Sequence, residues 1–160
     1  MKRIMPYEEL PPLVKRRLNF VFTEMSSLDA KYDQAMSLLL RVLSNFATVG
    51  CDGGSFAIKQ LNPRMSVSAK LLRETLHDDK KWASETINEH PMPLKDMWKS
   101  WRNEGNSLSE KKIWDDLVSH PMVTITKQED ARLRDAEKHT TDYVPHKRYE
   151  YASIELVLLG

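Results

Sequence analysis

Apolar residues recur between Val14 and Phe46 at alternating steps of four and three: Val14, Leu18, Val21, Met25, Leu28, Tyr32, Ala35, Leu39, Val42 and Phe46. Two such steps make seven residues, about two turns of an α-helix, so these positions share one face. No glycine or proline interrupts the run, and the spacing predicts one long helix or a helical hairpin over residues 13–48. The pair Ser26 and Asp29 matches a helix-starting capping box, which places the break of the hairpin reading near Ser26. Flanking residues change along the way. Lys15, Arg17, Glu24, Asp29 and Lys31 flank the first part, as in a two-helix seam; Met36, Leu38 and Leu43 widen the stripe in the second.

Punctuation orders the rest of the chain. Pro11 and Pro12 suit a first helical turn, and Gly50 suits a helix end. Residues 50–64 then read as a turn and a short strand over 55–61. A helical block is expected over 66–120, in segments near 66–77, 80–90, 93–103 and 108–120. His90-Pro91-Met92 and His120-Pro121-Met122 follow similar stretches, each with a lysine pair and a tryptophan, and read as two helices stopped alike. Residues 122–160 are expected to supply a strand at 122–126, a charged segment at 127–139 and a buried strand at 149–159. The fold class is therefore α+β, predominantly helical, with a small two- or three-stranded sheet that includes the C-terminal strand, in a single domain over 1–160.

Several function classes recede on composition. A net charge of +1, with 41% hydrophobic and 29% charged residues, fits a folded chain and not a general polyanion binder. The single cysteine, Cys51, forms no internal disulfide and suits a reducing, cytoplasmic setting. The N-terminal residues lack an apolar signal region, and no stretch has the length and hydropathy of a membrane span.

The chemistry-bearing residues are sparse. Cys51 beside Asp52 and two glycines has the small neighbours of an exposed thiol nucleophile, but a helix-ending turn needs the same glycines. His90, Met92, His120 and Met122 offer two H-x-M pairs suited to a soft metal, at places where a helix stop and a core methionine are equally expected. Arg134 and His139 form R-x4-H, with Tyr143 four residues on. This resembles the signature of HEPN ribonucleases, and the resemblance implies RNA cleavage assisted by that arginine and histidine, often across a dimer. The surrounding segment has little apolar face beyond Ala131, Leu133 and Ala136 and reads first as a solvated helix.

Trp98 and Trp101 lie three apart beside Arg102, a grouping found both at interfaces and in cores. The reading that follows is a small non-enzymatic regulator or inhibitor that binds another protein through helical surfaces, with Lys15, Arg17, Val21, Phe22, Glu24, Trp98, Trp101 and Arg102 in the contact and self-association as a homodimer. No catalytic residue, metal or cofactor is expected. A winged-helix DNA-binding regulator ranks second, drawn with a strand at 122–126 and a returning hairpin at 149–159, and a HEPN-like ribonuclease third.

Overall fold

A computed structural model describes residues 4–159. Its helices in chain order are α1 (Pro12–Met25), α2 (Gln34–Val49), α3 (Ser55–Leu61), α4 (Val67–Leu76) and α5 (Asp79–Ser84). Strand β1 (Thr86–Glu89) precedes α6 (Leu94–Glu104) and α7 (Glu110–Ser119); β2 (Val123–Thr126), α8 (Lys127–His139) and α9 (Arg148–Tyr151) complete the order. The fold is predominantly helical α+β, as the sequence predicts. Backbone contacts divide the chain into two compact units, one of residues 1–52 and 92–121, the other of 53–91 and 122–160.

The first unit is built from α1, α2, α6 and α7. The hairpin reading of residues 13–48 is the one realised, with the chain leaving helix over 26–33. Ser26 ends α1 and starts nothing; Asp33 caps α2, its carboxylate accepting from the Met36 N–H at 2.8 Å. The break also resets the apolar phase. In α1 the expected positions Val14, Leu18, Val21 and Met25 are all buried. In α2 the buried stripe is Met36, Leu40, Leu43 and Ala47, one residue on from the expected Ala35, Leu39, Val42 and Phe46. Leu28 lies in the connection and is fully exposed. Leu94, Met97, Trp98 and Trp101 of α6, with Ile113, Trp114 and Leu117 of α7, close one apolar core. Two of its three indoles are hydrogen-bonded within the chain: Trp101 Nε1 donates to Asp116 Oδ2 at 2.8 Å and Trp114 Nε1 to the Met5 carbonyl at 2.9 Å.

The second unit centres on the antiparallel pair β1–β2, registered Thr86 to Thr126 and Glu89 to Val123. Val123, Ile125, Leu133, Ala152 and Ile154 form its apolar cluster. Three expectations fail here. Residues 55–61 are helix α3 and not a strand, a helix that buries Ile58 and Lys59. Residues 86–89, expected in a helix over 80–90, are β1, so His90 follows a strand and only His120 ends a helix, α7. The C-terminal strand over 149–159 is also absent: Arg148–Tyr151 is the short helix α9, and the tail touches extended structure only through the bridge of Leu156 to Ser66. The winged-helix drawing falls with it, since β2 pairs with β1 and runs directly into α8.

Polar groups occupy much of this unit's interior. Glu129, fully buried, accepts from the Ser66 hydroxyl at 2.6 Å and from the Thr126 N–H at 2.8 Å, completing a capping box on α8. Lys59 Nζ donates to the carbonyls of Ala83 at 2.6 Å and Thr86 at 2.7 Å. Burial lowers the pKa of that ammonium, and the nearby Lys127 lowers it further.

Candidate functional site

Helix α1 begins where proline fixes the first turn and lacks only an N–H that would be unpaired anyway. With Val14, Leu18, Val21 and Met25 turned into the core, the neighbouring stripe at Leu13, Arg17, Phe20 and Glu24 repeats the same four-three-four spacing on the outside. Leu13 is 46% exposed and Phe20 53%. Arg17 is half-buried and Glu24 exposed. Among the described residues neither has an ion-pair or side-chain hydrogen-bond partner. The flanking polar groups, by contrast, are engaged. Lys15 donates to the Glu8 carbonyl and lies over the Tyr7 ring, and Asn19 donates to Glu110 at 2.7 Å. Alongside Phe20 and Glu24 runs a groove of about 240 Å³ whose other wall is Asp29, Ala30, Lys31 and Asp33. The Ser27 hydroxyl donates to Asp29 and holds its carboxyl below the usual range.

Arg17 and Glu24 are thus the two expected contact residues that the structure sets on this stripe. Others are withdrawn from the surface. Val21, Trp98 and Trp101 belong to the core, exposed by only 0%, 4% and 1%, and cannot anchor a partner in this fold. Their apolar spacing is core spacing. Phe22 is half-buried against the same core, and Arg102 donates to the Ala30 carbonyl at 2.7 Å, tying α6 to the α1–α2 connection. The sequence reading passes over Leu13 and Phe20, although their separation of seven marks a second stripe beside the first.

The chemical candidates stay apart. Arg134 and His139 do share helix α8, but five residues set them about 140° apart around its axis. Each is held by a carboxylate one turn back, Arg134 by Asp130 and His139 by Asp135. Tyr143 packs on Tyr151, ring centroids 5.5 Å apart. Cys51 is half-buried, immediately after the left-handed Gly50 that ends α2. Of the two H-x-M pairs, Met92 and His120 belong to the first unit and His90 and Met122 to the second. Among the described residues no group of three or more histidine, cysteine, aspartate and glutamate side chains is arranged to hold a metal ion.

Two polar clusters escape the sequence reading. Along α6 and α7, Asp116 accepts from Trp101 and from Lys112 Nζ at 2.7 Å, a bond that raises the lysine pKa. Asp96, Glu104 and His120 line the adjoining groove, of about 210 Å³. In the second unit the carboxylate of Glu89, at the end of β1, accepts from Arg148 and, at 2.6 Å, from the Tyr149 hydroxyl. Burial raises the Glu89 pKa against the opposing pull of Arg148. Arg148 also donates to the His90 carbonyl at 2.8 Å while its buried Nε has no partner among the described residues, and the arrangement joins α9 to β1. Comparison with protein-family models, with curated proteins and with solved structures finds no match to this chain.

Proposed function

We propose that this chain is a non-enzymatic protein-binding module, a cytoplasmic regulator or inhibitor, that engages its partner through the outer stripe of α1. One observation carries the reading: Leu13 and Phe20 stand exposed seven residues apart on a helix whose adjacent stripe is fully buried. Large apolar groups at that spacing present a continuous strip to a partner surface, with an aromatic ring of the kind that anchors interfaces. Among the described residues no helix is long and apolar enough to cross a membrane.

The test is affinity capture with the immobilised chain, wild type against Leu13→Ser/Phe20→Ser. Both sites are surface positions, so the circular dichroism spectrum and melting temperature should hold. The expected result is a partner retained by the wild type and reduced at least about tenfold on the double variant. Equal recovery on both overturns the reading, as does loss of biological activity in Cys51→Ser or His139→Ala with the stripe variant unaffected.

A further inference from the structure

Resting on that reading, we propose that the occupant of the α1 stripe is α1 of a second copy of this chain, packed antiparallel about a twofold axis. An interface between identical chains must be complementary to itself, residue i meeting j where j meets i. The stripe meets that condition. Arg17 and Glu24 carry opposite charges and lie equally far from a point midway between residues 20 and 21. A twofold through that point sets Arg17 opposite Glu24 of the second copy, twice over. It brings the two Phe20 rings together at the centre and leaves an exposed Leu13 towards each end of the strip.

Charge also selects the direction. A parallel pair would set Arg17 beside Arg17 and Glu24 beside Glu24, two like-charge contacts where the antiparallel pair has two attractive ones. Antiparallel helices further align opposite ends of their dipoles. Arg17 and Glu24 are available for this, since among the described residues neither is paired within the chain. A 14-residue helix is about 21 Å long, so the contact is smaller than a standard interface and the dimer is a weak, concentration-dependent one.

Sedimentation velocity of the full chain, from about 5 µM to about 1 mM, tests this against Arg17→Glu, Glu24→Arg and the double variant that exchanges the two charges. The wild type should pass from monomer to dimer with concentration. Each single variant places like charges together at two related points and should weaken dimerisation about tenfold or more; the double variant should recover to within about threefold of the wild type. A wild type that stays monomeric throughout overturns the second-copy proposal, and so does a dimer indifferent to both single variants or not recovered by the exchange. The docking reading fails separately, through the capture assay: a monomeric wild type that still captures another protein through Leu13 and Phe20 removes the second copy and keeps the docking surface.

Discussion

Around α1, α2, α6 and α7 the buried side chains are almost all apolar, three tryptophans among them, with Ser44 and Thr48 the polar exceptions among the described residues. Around β1 and β2 the buried set includes Lys59, Asn62, Ser66, Thr86, Glu89, Thr124, Thr126 and Glu129 beside a much smaller apolar cluster. The first unit is held mainly by volume, and the second leans on buried hydrogen bonds such as those of Lys59, Ser66 and Glu129, although the buried Thr124 hydroxyl has no partner among the described residues. Apolar burial is non-directional and tolerates substitution that preserves volume. A buried polar network does not, because removing one member leaves another unsatisfied.

The largest expected effect is in the first unit. Trp101→Ala should destabilise it by about 3–5 kcal/mol, through the lost ring volume, with Asp116 left without its indole donor. Hydrogen exchange of α6 and α7 amides reads this unit by itself. A loss below about 1 kcal/mol would break the picture of a volume-held core. Next comes the phase of α2: Leu40→Ala should cost about 2–5 kcal/mol and the half-buried Leu39→Ala less than half as much. Equal costs would return the stripe to the phase expected from the sequence.

A smaller effect sharpens the contrast between the units. Glu129→Gln keeps the side-chain volume but replaces an all-acceptor group, and should cost the second unit about 1–3 kcal/mol. The equally conservative Leu40→Met in the first unit should cost less than about 1.5 kcal/mol. If the two are equal, hydrogen-bond identity is not what holds the second unit. The smallest effect is in pH. Lys59 has its folded pKa below the ordinary 10.5, so between the two values the unfolded chain binds the proton that the folded chain has released. Wild-type stability therefore gains from this group as pH rises through that window. Denaturation midpoints of the wild type relative to Lys59→Met should show that upward slope; a flat difference would mean the ammonium is not desolvated.

The same contrast explains what could be read in advance. Val14, Leu18, Val21 and Met25 advertise their burial by period alone, as do Leu94, Met97, Trp98 and Trp101. The slip at Ala35 arises because a heptad extended through residues 26–33 continues a helix that is not there. Across a loop, periodicity has no memory of phase. In the second unit the signals fail for another reason. Thr86–Glu89 is only four residues long, and a strand that short is recognisable by its partner Val123–Thr126 more than by its own composition. The segment Tyr149 to Leu159 looks like a buried strand, yet Leu158 is 95% exposed, because in this segment Ala152 and Ile154 are buried in the apolar cluster and Tyr149 packs against it, all short of the chain's last residues. As for the stripe on α1, Arg17 and Glu24 were legible as seam flanks. Leu13 and Phe20 were not, because the stronger stripe next to them absorbed the pattern.

Because β1 pairs with β2 while residues 90–122 intervene, synthesis on the ribosome delivers each unit in two instalments. The α1–α2 hairpin emerges early with its apolar faces uncovered, and the α6 and α7 stripes that cover them follow only after residues 53–91 have been made. At about 5–20 residues per second that wait is on the order of seconds, far longer than a helix needs to form. The nascent hairpin is thus a sticky intermediate with a defined lifetime, and the interval between residues 52 and 94 is when a holding chaperone would matter most to this chain.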